Sequence, residues 1–190
     1  MAQFKVGYLV GSLAKESINR KLAKALVRLA PERLELSEIS FKELPFYSYD
    51  YDSDYPEVAR QFKKAIESSD AILFVTPEYN RSVPGALKNA IDWASRPYGT
   101  NSFANKPSAV IGASIGAIGT ALSQRDLRAI LSYCNSPQLT APEAYIHFKP
   151  GLITDDGEVT VPSTEEFLRG YMQAFDAFLE RVLPALPRKT

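Results

Sequence analysis

The chain has almost nothing with which to build a metal centre or a disulfide: one cysteine, Cys134, and one histidine, His147, in 190 residues. A lone thiol cannot form an internal bridge or a multi-thiolate site, and a lone imidazole has no HxxxH or CxxC companion, so a structural metal and a disulfide scaffold are not expected. An excess of one charge is also missing. Twenty-two Lys and Arg balance twenty-two Asp and Glu, which leaves no global field to draw the protein onto nucleic acid or an anionic membrane. No apolar run approaches the length of a bilayer span, and the opening MAQFKVGYLVGS lacks the basic region and long apolar core of a secretory signal. The expectation is a soluble, cytoplasmic protein. What is present in quantity is core material: 45% hydrophobic and 11% aromatic residues, enough over this length for a single domain spanning 1–190.

The apolar pattern alternates strands with helices. FKVGYLV (4–10) is a short apolar run that stops at Gly11-Ser12, the form of a strand buried on both faces. From Ser17 to Ala30, the residues Ile18, Leu22, Ala23, Leu26, Val27 and Ala30 recur at three- and four-residue spacing, which predicts an amphipathic helix. RLELSEIS (33–40) reads as a second strand, and KELPFYSYDYDSDYP (42–56) as a surface loop whose tyrosines 47, 49, 51 and 55 either line an entrance or interface or pack on one another. A second helix starts near Asp54 with Glu57 as its capping-box partner, and DAILFVT (70–76) is the plainest buried strand. A third helix runs from about Pro84 to Ser95 and places Trp93 in a core or interface; PSAVIGAS (107–114) is a fourth strand and Gly119 to Tyr133 a fourth helix. PQLTAPEAYI (137–146) is a Pro-interrupted fifth strand, and a last helix, Ser163 to Leu183, follows a Ser163/Glu166 capping box. This alternation predicts an α/β fold, a parallel sheet covered by helices on both faces. In such sheets ligands sit outside the carboxyl ends of the strands, where the winding direction switches.

Three loops leave that edge: GSLAKESINR, PEYNRSVP and SIGAIG, after the first, third and fourth strands. The first offers Ser12, Ser17 and Asn19 around the start of a helix. Short hydroxyl and amide donors beside the oriented N–H groups of a helix start are what a phosphate needs, with Lys15 and Arg20 as added charge. Either Ser17 or Asn19 taken alone is also a suitable N-cap. In the second loop Pro77 and Pro84 stiffen both ends, which holds Glu78, Tyr79, Asn80, Arg81 and Ser82 in one shape; the backbone and Tyr79 and Asn80 then suit the polar edge of a planar heterocycle, Ser82 being otherwise a helix cap. In the third, Ser114, Gly116 and Gly119 allow close backbone approach to a flat ring, or else serve a tight turn. The glycine-rich phosphate motif GxxxxGK[ST] is absent, and the glycines at 112, 116 and 119 follow the wrong strand for a dinucleotide fingerprint. The ends of the first and third strands, Gly11-Ser12 and Thr76-Pro77, lack the aspartates of a phospho-acceptor domain.

GSLAKESINRKLA, PEYNRSVPGALKNAIDWASRP and SIGAIGTAL together resemble the NADPH-dependent FMN reductase family of flavodoxin-like proteins, which includes quinone and chromate reductases. The resemblance implies a doubly wound five-stranded sheet in the order 2-1-3-4-5, a three-layer α/β/α arrangement, FMN at the edge described above, NADPH or NADH as reductant, and a homodimer or homotetramer. It implies that Ser12, Ser17 and Asn19 hold the FMN phosphate, that Pro77, Glu78, Tyr79 and Asn80 flank the isoalloxazine, and that Ser114 and Gly116 approach it from the third loop. In such an enzyme flavin N5 carries the redox step, so no side-chain nucleophile and no metal is required. Backbone amides of 78 to 80, or Arg81 or Arg96, would stabilise negative charge on the reduced ring. His147 is expected to lie far from the loops, Cys134 to be an inert buried thiol, and Arg125, Arg128 and Glu143 to be either surface charges or inter-subunit pairs. The acceptors implied are quinones, free flavins, azo compounds or chromate. The alternative is a flavodoxin-type electron carrier without nicotinamide activity, against which the balanced charge argues, since such carriers dock through an acidic surface.

Overall fold

A computed structural model describes residues 3–187. Five strands, β1 (Phe4–Val10), β2 (Leu34–Glu38), β3 (Ala71–Val75), β4 (Ser108–Ser114) and β5 (Tyr145–His147), pair in parallel in the order β2-β1-β3-β4-β5. Helices α1 (Ile18–Leu29), α2 (Glu57–Glu67), α3 (Gly85–Ser95), α4 (Ala121–Tyr133) and α5 (Pro162–Val182) join and follow them. This is the flavodoxin-like doubly wound sheet expected from the sequence. All five residues of β3 are buried, because a central strand with helices on both sides has no solvent face and therefore reads as a continuous apolar run.

The two faces bury separate cores. On one, α1 and α5 contribute Leu22, Leu26, Tyr171 and Phe175 against Val6, Leu73 and Ile111. On the other, Phe62 and Ile66 of α2, Leu87 and Ile91 of α3 and Leu127 of α4 cover Leu9, Ile72, Phe74 and Val110. Residues of a strand alternate between the cores, as a period of two requires. The winding reverses between β1 and β3, and in doubly wound sheets the carboxyl ends of the strands at that point are where a ligand is expected.

Three local expectations are corrected. Asp54 does not cap α2: it ends a short 3-10 turn (Tyr49–Ser53), and the helix starts at Glu57 behind Pro56 without a side-chain cap. Nor does Ser163 cap α5, which begins one residue earlier at Pro162 behind Val161, because proline at a first helical position needs no N–H acceptor. The fifth strand shrinks to Tyr145–His147, with only an isolated bridge from Gln138 to Ser108 upstream. Pro137 and Pro142 have no N–H to give a ladder, so continuous pairing over 137–146 is not available.

The tyrosine-rich loop packs three of its tyrosines on Trp93 of α3 and leaves Tyr49 exposed. Tyr47, Tyr51 and Tyr55 surround Trp93 with ring centroids 5.2, 5.3 and 4.9 Å away. Trp93 is fully buried and donates from Nε1 to the Pro45 carbonyl at 2.7 Å, while Tyr55 Oη donates to the Trp93 carbonyl at 2.8 Å. Burial, helped by a hydrogen bond to Asp52, pushes the Tyr47 hydroxyl from 10.0 up to about 12, and burial also raises Tyr55. Neutral tyrosine is thus favoured by the native state, and the unfolded chain ionises first as pH rises. The stability from Tyr47 is complete below pH 10.0 and is lost as pH climbs toward about 12. Emission of Trp93, the one tryptophan, should report the loosening of this loop within that window. Tyr47→Phe should move the change to higher pH, and an identical profile for the variant would contradict the assignment.

Candidate active site

The parallel sheet brings the loops after β1, β3 and β4 to one edge, and side chains tie each loop to the other two. Ser12, buried in the first loop, lies with its Oγ 3.5 Å from Tyr79 Oη in the second. Asn19 in the first turn of α1 donates from Nδ2 to the Ala113 carbonyl and accepts the Ala113 N–H on Oδ1, both at 2.9 Å. Glu78 of the second loop accepts the N–H groups of Leu122 and Ser123 at the start of α4 on Oε2, at 3.0 and 3.1 Å. Ser82 Oγ adds a bond of 2.8 Å to Asp126 Oδ2 on α4 rather than capping α3, which starts behind Pro84. Arg125 first, and then Ser82, hold the Asp126 carboxyl below its ordinary value.

These contacts reassign some of the residues singled out above. Ser17 is the N-cap of α1, its Oγ accepting the Arg20 N–H at 3.3 Å. The amides of Ile18 and Asn19, first in the helix, have no intrahelical acceptor and sit at its positive end. Asn19 itself corrects the direct phosphate grip: it is 1% exposed and both polar atoms of its side chain are committed to Ala113, so it locks the start of α1 to the end of β4. Arg20 is taken by Glu38, with Nη1 2.8 and 2.9 Å from the two carboxylate oxygens, whereas Lys15 is exposed beside the loop. His147 is not remote from the loops; parallel pairing sets it opposite Ser114, with its side chain exposed.

The second loop has a form that the prolines alone did not reveal. Tyr79 and Ser82 exchange backbone bonds of 3.2 and 3.0 Å, and the residues between them, Asn80 and Arg81, have φ of 51° and 64°. Two successive left-handed residues make a two-residue hairpin turn, a position where asparagine is tolerated and arginine is not favoured. Asparagine at 80 is the one sequence signal for it. The turn leaves Asn80 exposed and Tyr79 half exposed, above buried Pro77.

The arrangement fits a phosphorylated flat ring. Ser12, Ser17 and the first amides of α1 form a small donor group suited to a dianion. Beside them Leu13, Tyr79, Ile115 and Ile118 are exposed large apolar side chains, the surface an aromatic ring would cover. A Cβ added at Gly116 would meet only Ser114 Oγ, at 3.5 Å, so the third loop can be approached closely. Among the described residues no group of three or more His, Cys, Asp or Glu is placed to hold a metal ion, and no helix is long and apolar enough to cross a membrane.

Fold and site together define a flavodoxin-like α/β scaffold with a candidate ligand edge at the β1/β3 switch point. Comparison with known proteins narrows this. Residues 4–151 match the model of the NADPH-dependent FMN reductase family, and the chain belongs to that family. It is 46% identical over 175 residues to a 2-hydroxy-1,4-benzoquinone reductase of a Burkholderia species, covering 92% of this chain and 96% of the relative. A quinone reductase of Pseudomonas putida is 43% identical over 178 residues, covering 93% of this chain and 95% of that one. Among solved structures, the flavoenzyme NAD(P)H:(acceptor) oxidoreductase FerB from Paracoccus denitrificans superposes with a TM-score of 0.90 at 47% identity, over 94% of this chain and 98% of that chain.

Proposed function

We infer that the protein is an FMN-dependent NAD(P)H oxidoreductase that reduces small acceptors, quinones foremost, in two alternating half-reactions. The observation that carries this reading is the pairwise tying of the three loops, Ser12 to Tyr79, Asn19 to Ala113 and Glu78 to α4, which makes one rigid edge out of three separate turns. When bound, FMN supplies the redox chemistry, taking a hydride from the nicotinamide and passing electrons on. The chain binds and orients. Ser12, Ser17 and the amides of Ile18 and Asn19 hold the phosphate; Pro77, the backbone of Glu78, Tyr79 and Asn80 flank the ring; Ser114 and Gly116 close on it from the third loop. Pre-set amides cost no reorganisation as charge builds, which is how such a loop stabilises a reduced ring. The names of the Burkholderia and Pseudomonas relatives support quinones as the acceptor class.

The reading includes a cytoplasmic location and self-association into a homodimer or homotetramer. In support of the latter, a groove of about 690 Å³ between α3 and α4 is bordered by Tyr98 and Tyr133, 87% and 84% exposed. Sedimentation should show a species of two or four chains. The function itself is tested by anaerobic titration. Protein loaded with FMN should bleach on addition of NADPH or NADH and regain its colour with a benzoquinone, whereas retention of colour in the presence of both nucleotides would favour the electron carrier. A panel with free flavin, an azo dye and chromate then ranks the acceptors.

A further inference from the structure

Helix α4 begins without a cap of its own. Thr120 is its N-cap residue but makes no side-chain bond to the helix amides. The N–H groups of Leu122 and Ser123, the two that an N-cap side chain ordinarily takes, donate instead to Glu78, 44 and 45 residues upstream. The Glu78 side chain is 8% exposed, and its other oxygen lies 3.5 Å from Arg81 Nη1. A carboxylate at a helix N-terminus is favoured by the dipole and by charge-assisted hydrogen bonds. Here it also crosses between two of the three ligand loops.

Resting on the FMN reading, we propose that Glu78 is a positioning residue: its carboxylate occupies the N-terminus of α4 as a built-in anion and thereby fixes the flavin-facing backbone 77–80 against the third loop. Two consequences follow. The start of α4 is closed to an external phosphate, which leaves the start of α1, with Ser17 and Ser12, to receive it. And the hairpin at Asn80 and Arg81, with both residues in the left-handed region, is held from its far side by the same contact, so the loop does not relax when no ligand is present.

The test removes the anion and then returns it from solution. In Glu78→Ala the two α4 amides lose their acceptor, and the FMN dissociation constant, read by quenching of flavin fluorescence, should rise by about tenfold or more, the usual size for losing a charged hydrogen bond. Acetate fits the space vacated and should restore affinity, while chloride at equal ionic strength should not. Glu78→Gln keeps the shape and one acceptor oxygen, so its loss should be smaller and indifferent to acetate; it also serves if the alanine variant fails to fold. Hydrogen exchange at the amides of Leu122 and Ser123, measured without flavin, should be slow in the wild type, fast in Glu78→Ala and slow again with acetate. Unchanged FMN affinity in both variants, or exchange at 122 and 123 insensitive to residue 78, overturns the proposal. A wild-type protein that takes up no FMN refutes the cofactor reading and the effect of Glu78 on flavin, and the exchange pattern separately decides whether the contact with α4 exists.

Discussion

Asn19→Leu is expected to lower the melting temperature by about 6–12 °C and to weaken FMN binding by at least about tenfold. Leucine matches the shape of asparagine but leaves the N–H and carbonyl of Ala113 without partners at a position 1% exposed to solvent. Each such orphaned group costs about 1–3 kcal/mol, so a total of about 3 kcal/mol or more is expected. At about 2–4 °C per kcal/mol for a chain of this size, that gives the range above. Ser17→Ala is the comparison, since it removes only the cap of α1, worth about 1 kcal/mol, and should move the midpoint by about 2–4 °C. Calorimetric melting of both variants without ligand, followed by FMN titration, separates the two roles. Equal shifts would mean that Asn19 is no more than another polar residue of the first turn, and that the first and third loops are not joined through it.

The second large effect is expected at Gly112→Val, in the middle of β4. A Cβ built there would overlap the carbonyl oxygen of Thr76, just past the end of β3, and the Oγ1 of Thr120, both fully buried. The carbonyl belongs to backbone and cannot rotate away, and Thr120 Oγ1 is held by Gln124 Nε2 at 2.9 Å. Overpacking commonly costs about 1–3 kcal/mol and more when backbone must move, so a loss of about 3 kcal/mol or a failure to accumulate as folded protein is expected. Because Thr76 leads into the second loop and Thr120 ends the third at the start of α4, residual folded protein should bind FMN poorly. Gly170→Ala provides the opposite sign. That glycine sits inside α5 with nothing within 4 Å of a new Cβ, and the change should stabilise by about 0.5–1 kcal/mol. Thermal melting of the pair checks whether space, rather than glycine as such, is what β4 requires.

Much of the fold could be read from periodicity, because buried parallel strands and amphipathic helices write their burial into local sequence. Phe4–Val10 and Ala71–Val75 are examples, as is Ser17, whose capping role depends on a neighbour three residues away. The strand order came from the family resemblance rather than from any single residue. The misread features have a common cause. Asp54 with Glu57 and Ser163 with Glu166 satisfy the spacing of a capping box, yet prolines at 56 and 162 set where the helices begin. At the site, the loops and their donors were legible, while the contacts joining them were not. Asn19 meets Ala113 across 94 residues and Glu78 meets Leu122 across 44. Nothing in the local pattern distinguishes an asparagine that grips a ligand from one that grips a strand. The hairpin at Asn80-Arg81 was hidden for a different reason: the usual Asn-Gly pair is absent, and an arginine, paired only with Glu78 three residues back, stands in the left-handed region where glycine is expected.

A crystal structure of the protein with FMN tests the shared edge most directly. The phosphate should lie on Ser12, Ser17 and the first amides of α1, with the ring between the 77–80 backbone and the Ser114–Gly116 turn. Flavin bound instead in the groove between α3 and α4, or held without contact to the first and second loops, would contradict it.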